Sequence, residues 1–155
     1  MHYISWDEIN GLVRLIADEV KQKSIDTIVG ISRSGLIPAV MLSHTLGVRN
    51  FAVLDIIRTT SDDINAEKTG ANYRGILNEQ FIKGKNVLLV DDIVGEGMTI
   101  RNAKQILKDL DANVVSATLV INQDNLGTTS PEEVVDICGC IVHGWVIFPW
   151  EGKEN

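Results

Sequence analysis

Short apolar runs alternate with helical stripes along the chain. Ile9, Leu12, Val13, Ile16 and Val20 recur at helical spacing, and Ser5 and Glu8 stand ahead of them as an S-x-x-E capping box. That predicts a first helix of about four turns. Residues 27–31 (TIVGI) read as a strand, followed directly by Ser32, Arg33, Ser34 and Gly35. Leu36, Ile37, Val40 and Leu42 continue helically, with Pro38 in the first turn and Gly47 placed as a C-cap. Residues 51–57 (FAVLDII) form the next predicted strand, with Arg58 at its carboxyl end. From 59 to 80 the chain turns polar with little periodicity, a length that in compact domains usually marks a functional lid. We therefore expect a mobile lid over 59–80.

The run 87–90 (VLLV) reads as a strand buried on both faces, and Ile100, Ala103, Ile106, Leu107 and Leu110 mark a strongly amphipathic helix after it. Residues 114–121 form another strand, 123–131 a loop, 134–138 a short strand, and 145–151 (WVIFPWE) an aromatic, proline-broken tail. Strands alternating with helices predict one α/β domain spanning 1–155: a Rossmann-like parallel β-sheet flanked by helices, with a small C-terminal hood over 139–155. Ligands of such sheets bind beyond the carboxyl ends of the strands, where Arg33, Arg58, Asp91, Asp92 and Asn122 fall.

The candidate chemistry centres on 87–99 (VLLVDDIVGEGMT). Asp91 and Asp92 arrive where the strand ends, and Gly95, Gly97 and Thr99 then open a helix. A glycine loop entering a helix N-terminus presents backbone N–H groups and a positive dipole end to phosphate. Two carboxylates beside it would repel a bare phosphate, but suit a ligand with hydroxyl donors or a bridging Mg2+. A sugar phosphate with Mg2+ meets both conditions. The loop is not a Walker A motif, because no Gly-Lys-Ser/Thr follows, and Ile100 occupies the third glycine position of a dinucleotide fingerprint.

Composition narrows the partners. A content of 45% hydrophobic and 23% charged residues is ordinary for a globular protein, and no apolar run reaches the length of a membrane span. The start, MHYISWDEIN, lacks a basic n-region and an apolar core, so no signal peptide is expected. A net charge of -7 argues against nucleic acid as a partner. Cys138 and Cys140 read as core cysteines, and a reducing cytoplasm is the expected location.

The stretch 87–99 strongly resembles the phosphoribosyl diphosphate (PRPP) signature of type I phosphoribosyltransferases. The resemblance extends to the Ser32-Arg33-Ser34-Gly35 loop and to 145–151, with the closest likeness to bacterial purine (xanthine-guanine type) enzymes. It implies the type I phosphoribosyltransferase fold and a Mg2+-dependent transfer of the 5-phosphoribosyl group from PRPP to a free purine (guanine, xanthine or hypoxanthine), releasing pyrophosphate. On that likeness Asp91 and Asp92 would hold the ribose hydroxyls, directly or through Mg2+. Gly95, Glu96, Gly97, Met98 and Thr99 would cradle the 5-phosphate, while Ser32, Arg33, Ser34 and Gly35 would bind pyrophosphate. Trp145 would stack on the purine, with the Val146 backbone, Glu151 and Asn122 near its polar edge. Tyr73 or Arg74 of the lid would reach the pyrophosphate on closure. Family likeness also suggests a homodimer or homotetramer.

The signature is altered at three positions. Gly95 stands where purine enzymes usually carry an aspartate, Glu96 where they carry threonine or serine, and Met98 where glycine is common. Glu96 would repel the phosphate if it pointed inward, or could swing towards the base and act there as the missing acid. These changes leave two rival readings: a non-catalytic nucleotide- or PRPP-binding regulator on the same fold, or a transferase with a different acceptor.

Overall fold

The computed structural model describes residues 1–59 and 68–153, the side chains of 59 and 68–71 excepted. In chain order the elements are β1 (His2–Tyr3), α1 (Trp6–Val20), β2 (Thr27–Ser32), α2 (Leu36–Leu46), β3 (Asn50–Thr59), β4 (Lys68–Leu77), β5 (Asn86–Val94), α3 (Met98–Asp109), β6 (Asn113–Asn122), α4 (Gln123–Leu126), β7 (Ile137–Val142) and β8 (Val146–Ile147). The main sheet runs β4-β3-β2-β5-β6-β7, with β4 antiparallel on β3 and every other pairing parallel. The expected α/β sheet is therefore present.

Local chemistry explains the elements that carry the site. The Ser5 hydroxyl accepts from the Glu8 N–H (3.1 Å) and the Ser5 N–H donates to Glu8 Oε2 (2.7 Å), completing the capping box of α1. That helix buries Ile9, Val13, Ile16, Ala17 and Val20, and with α2 covers one face of the sheet over Ile28, Leu88 and Val90. On the other face, Ile100, Ala103 and Leu107 of α3 pack over Val29, Leu54, Val87 and Leu89. Val87, Leu88, Leu89 and Val90 lose all exposure, so β5 sits in the core with its acidic end at the rim. Gly47 ends α2 with φ 68, the left-handed geometry expected of its C-cap.

Three boundaries differ from expectation. The hood expected over 139–155 begins only after Val142, because 139–142 belong to β7 of the main sheet, whose pairing with β6 no local pattern announces. The short strand expected at 134–138 lies instead at Ile137–Val142, paired in parallel from Ala117↔Ile137 to Asn122↔Val142. Val134 and Val135 supplied the apolar signal, but they close a 3-10 turn and plug the core beneath α3. The true strand is masked by Gly139, where a Cβ would lie 2.6 Å from the Leu119 carbonyl oxygen. The polar stretch 59–80, expected as a lid, carries strand β4 over its second half, while residues 60–67 lie outside the described residues. As an edge strand β4 needs no continuous apolar run, and its register shifts between Asp55 and Ile56 break what alternation it has.

Candidate active site

Four pieces of chain meet beyond the carboxyl ends of β2, β5 and β6. The first is the acid pair closing β5. Asp91 is buried, and its Oδ1 accepts from the Asp92 N–H at 2.9 Å, while Asp92 Oδ1 accepts from the Ile93 N–H at 2.9 Å. Burial, and then the Asp92 charge, push the Asp91 carboxyl well above the usual carboxylate range; burial raises Asp92 as well. A pair disfavoured as a bare dianion suits a ligand that brings a cation or hydroxyl donors.

The second piece is the loop after β2. An added Cβ on Gly35 would stand 2.5 Å from the Ile31 carbonyl oxygen and 2.9 Å from Asp91 Oδ1, so this loop lies directly against the acid pair. Its Ser32–Arg33 peptide is cis. The Ser32 hydroxyl donates to Asp55 Oδ1 (2.8 Å), and Arg74 grips the same carboxylate with both Nε and Nη2 (3.0 and 3.1 Å). Arg74 sits where the β3–β4 register slips, since Asp55 pairs with Gly75 and Ile56 with Tyr73, and the extra residue is turned towards Asp55. Those hydrogen bonds, Arg74's first and then Ser32's, hold the Asp55 carboxyl below the usual range. Arg74 is thus tied through Asp55 to the base of the loop after β2, whereas Tyr73 is exposed.

The phosphate-type loop is the third piece. Gly97 precedes α3 with φ 87, and a Cβ there would meet Val134 at 2.9 Å, so only glycine suits the turn. Glu96 points to Arg58 (Oε2 to Nη2, 3.2 Å), and Arg101 Nη1 lies 3.5 Å from the Glu96 carbonyl oxygen. Of the two orientations left open for Glu96, inward to the phosphate or towards the base, the structure shows its carboxylate on the β3 side of the loop, paired with the Arg58 guanidinium. Met98 is 44% exposed beside an open cleft of about 560 Å³ shared with Glu96, Arg101 and Asn102. Gly95 abuts α4, with its Cβ position 3.4 Å from Asn125 Cβ and Nδ2.

The fourth piece is the hood. Asn122 Oδ1 accepts from the Asp124 N–H (3.1 Å), starting α4, and its Nδ2 donates to the Gly144 carbonyl (2.9 Å). This nearly buried amide therefore anchors the turn before Trp145. β8 pairs in parallel with β1: the His2 N–H donates to the Trp145 carbonyl (2.8 Å) and the Ile4 N–H to the Ile147 carbonyl (3.0 Å). Alternation along a strand then turns the Val146 N–H and C=O to the opposite edge. On that edge the Phe148 N–H donates to Glu151 Oε2 (2.6 Å), and the charge of Glu151 reaches Asp92. Trp145 is half-buried beside this edge. Trp150 stacks on Phe148 (4.4 Å, 6°) and tilts against Trp6 (5.9 Å), which makes it a packing aromatic.

A model of the phosphoribosyl transferase domain matches residues 4–153. The chain belongs to the phosphoribosyltransferase family. It is 28% identical over 148 residues to a xanthine-guanine phosphoribosyltransferase of Chromohalobacter salexigens, covering 96% of this chain and 82% of that protein. A transcriptional regulator GfcR of Archaeoglobus fulgidus is 31% identical over 133 residues, covering 78% of this chain and 64% of the regulator. Among solved structures, a purine phosphoribosyltransferase from Pyrococcus horikoshii superposes with a TM-score of 0.78 at 26% identity, covering 99% of this chain and 95% of that one. The likeness to type I, purine-type phosphoribosyltransferases read from the motifs is thereby borne out.

Nothing in the sequence of this family member singles out Asp55, Asp124 or Asn125. His143 Nδ1 lies 2.7 Å from Asp124 Oδ1, and His2 Nε2 bonds the His143 carbonyl, so the N-terminus, α4 and the hood are tied together. Only the strand pairing reveals that Ser32 lies opposite Asp55. No helix among the described residues is long and apolar enough to cross a membrane.

Proposed function

We propose that the protein is a purine phosphoribosyltransferase that moves the 5-phosphoribosyl group from PRPP to guanine, xanthine or hypoxanthine. The observation that carries this reading is the packing of the Gly35 loop against Asp91, so close that a Cβ on Gly35 would stand 2.9 Å from Asp91 Oδ1. A pyrophosphate loop, a ribose-binding acid pair and a base-binding edge would then share one centre.

In this reading Asp91 and Asp92 accept from the ribose hydroxyls, or would hold Mg2+. The donor set fits Mg2+: the buried Asp91 carboxylate and the half-buried Asp92 carboxylate are hard oxygen donors that would hold such an ion. Mg2+, when bound, neutralises charge on the departing pyrophosphate. Thr99 and the N–H groups of 97–99 take the 5-phosphate, and Ser32, Arg33 and Ser34 line the leaving-group side. The bond from the anomeric carbon to the pyrophosphate oxygen breaks, the bond to purine N9 forms, and the N9 proton leaves to water or pyrophosphate. Trp145 supplies a flat wall for the purine, while the Val146 N–H and C=O offer a donor and an acceptor to its edge. The chemistry asks mainly for positioning and charge neutralisation. A homodimer or homotetramer in the cytoplasm completes the reading.

A regulator that binds nucleotide without turnover is the second reading, favoured by the loss of a side chain at Gly95 and by the kinship with GfcR. Incubation with Mg2+, PRPP and each base, followed by chromatography, decides. Nucleoside monophosphate formed from one or more of the bases supports transfer. Calorimetric nucleotide binding with no product from any base overturns it in favour of the regulator.

A further inference from the structure

Arg58 ends the regular part of β3, outside every residue set assigned above to PRPP, yet its guanidinium reaches the phosphate-type loop. The two members of its pair with Glu96 are not equivalent. The Arg58 side chain keeps 16% of its exposure and is set into the wall, while Glu96 keeps 47% and stands at the rim. An ion pair built this way has a fixed cation and an exchangeable anion. The loop that carries Glu96 runs into α3, whose N-terminus favours negative charge within its first turn. Glu96 is therefore an anion that the protein itself supplies beside its phosphate cradle, with Arg101 of α3 reaching back over Gly97 as a further cation.

A sugar phosphate entering the cradle brings two negative charges close to the Glu96 carboxylate. Repulsion between them is relieved if the phosphate takes over the Arg58 guanidinium and Glu96 turns out to water, a small displacement for a half-exposed side chain. Guanidinium prefers phosphate for the same geometric reason that it prefers carboxylate, since its planar fork meets two oxygens at once. Resting on the sugar-phosphate reading of the loop, we infer that Arg58 is a phosphate-binding residue and that Glu96 is its internal competitor, exchanged for the 5-phosphate of the ligand. The unusual glutamate in the signature then sets affinity for the phosphate.

Calorimetric titration with ribose 5-phosphate isolates this subsite, because the probe carries no pyrophosphate and undergoes no transfer. Arg58→Met is expected to weaken binding by about tenfold or more, and Glu96→Gln to tighten it by about threefold or more. Arg58→Lys keeps the charge and serves if the methionine variant fails to fold; it should bind between wild type and Arg58→Met, or weaker than wild type alone. Constants within about twofold of wild type for Arg58→Met, or for Glu96→Gln, would overturn the inference, as would a wild type that binds no ribose 5-phosphate. The transfer reading fails separately. A wild type that shows both dependences but forms no nucleotide keeps the inference and loses transfer, whereas an active enzyme indifferent to Arg58 loses the inference alone.

Discussion

Replacing Gly35 by alanine adds one methyl group at the point where the pyrophosphate-type loop meets the acid pair. That carbon would stand 2.5 Å from the Ile31 carbonyl oxygen, 2.9 Å from the Val90 carbonyl oxygen and 2.9 Å from Asp91 Oδ1. Two of those atoms are backbone of β2 and β5, which neighbouring strands hold in register, so they cannot yield as a side chain could. Either the loop lifts or Asp91 rotates out of its bond with the Asp92 N–H. Overpacking of this kind costs about 1–3 kcal/mol. In a chain of this length that lowers Tm by about 2–12 °C. Because the strain falls between the two pieces proposed to bind PRPP, its affinity should drop further than stability alone explains, by about tenfold or more. Differential scanning fluorimetry and PRPP calorimetry on Gly35→Ala read both effects. An unchanged Tm together with an unchanged Kd would refute the claim that this loop and the acid pair are packed as one centre.

Further outcomes follow from other contacts. Asn122→Ala removes the cap of α4 and the grip on the Gly144 carbonyl; it should cost about 1–3 kcal/mol in urea unfolding and weaken purine binding more than PRPP binding. Asp55 is held below its usual range by Arg74 and then Ser32, so its contribution is complete above about pH 4 and disappears as pH falls through the depressed folded value. Urea midpoints between pH 6 and 3 should therefore fall more steeply in wild type than in Asp55→Asn. Trp145→Ala should raise the KM for the base by about tenfold while leaving PRPP affinity within about twofold, as checked by initial rates and calorimetry.

What was legible in the sequence was local. The Ser5–Glu8 box, the glycine ending α2 and the fully buried run before Asp91 each act within a few residues, and each formed as read. The acid pair and glycine loop were legible for the same reason, as one continuous stretch. What escaped depends on pairing between distant strands. Ser32 meets Asp55 because β2 and β3 align them, and Arg74 joins them only because the β4 register slips there. The hood rests on His2–Tyr3 pairing with Val146–Ile147, segments too short to announce themselves. Asn122 looked like a base contact, yet both ends of its amide are engaged with backbone, one on α4 and one beneath Trp145. Glu96 could not be oriented until Arg58 was found next to it.

Transfer of phosphoribosyl to a purine is the reaction proposed for the centre at the end of the sheet. Its most direct test is the steady-state rate of pyrophosphate release from PRPP with Mg2+, measured with and without guanine, xanthine or hypoxanthine. Release should require a base and should fall by about a hundredfold or more in Asp92→Asn. Release equal with and without a base, or none with any purine, would contradict the proposed transfer.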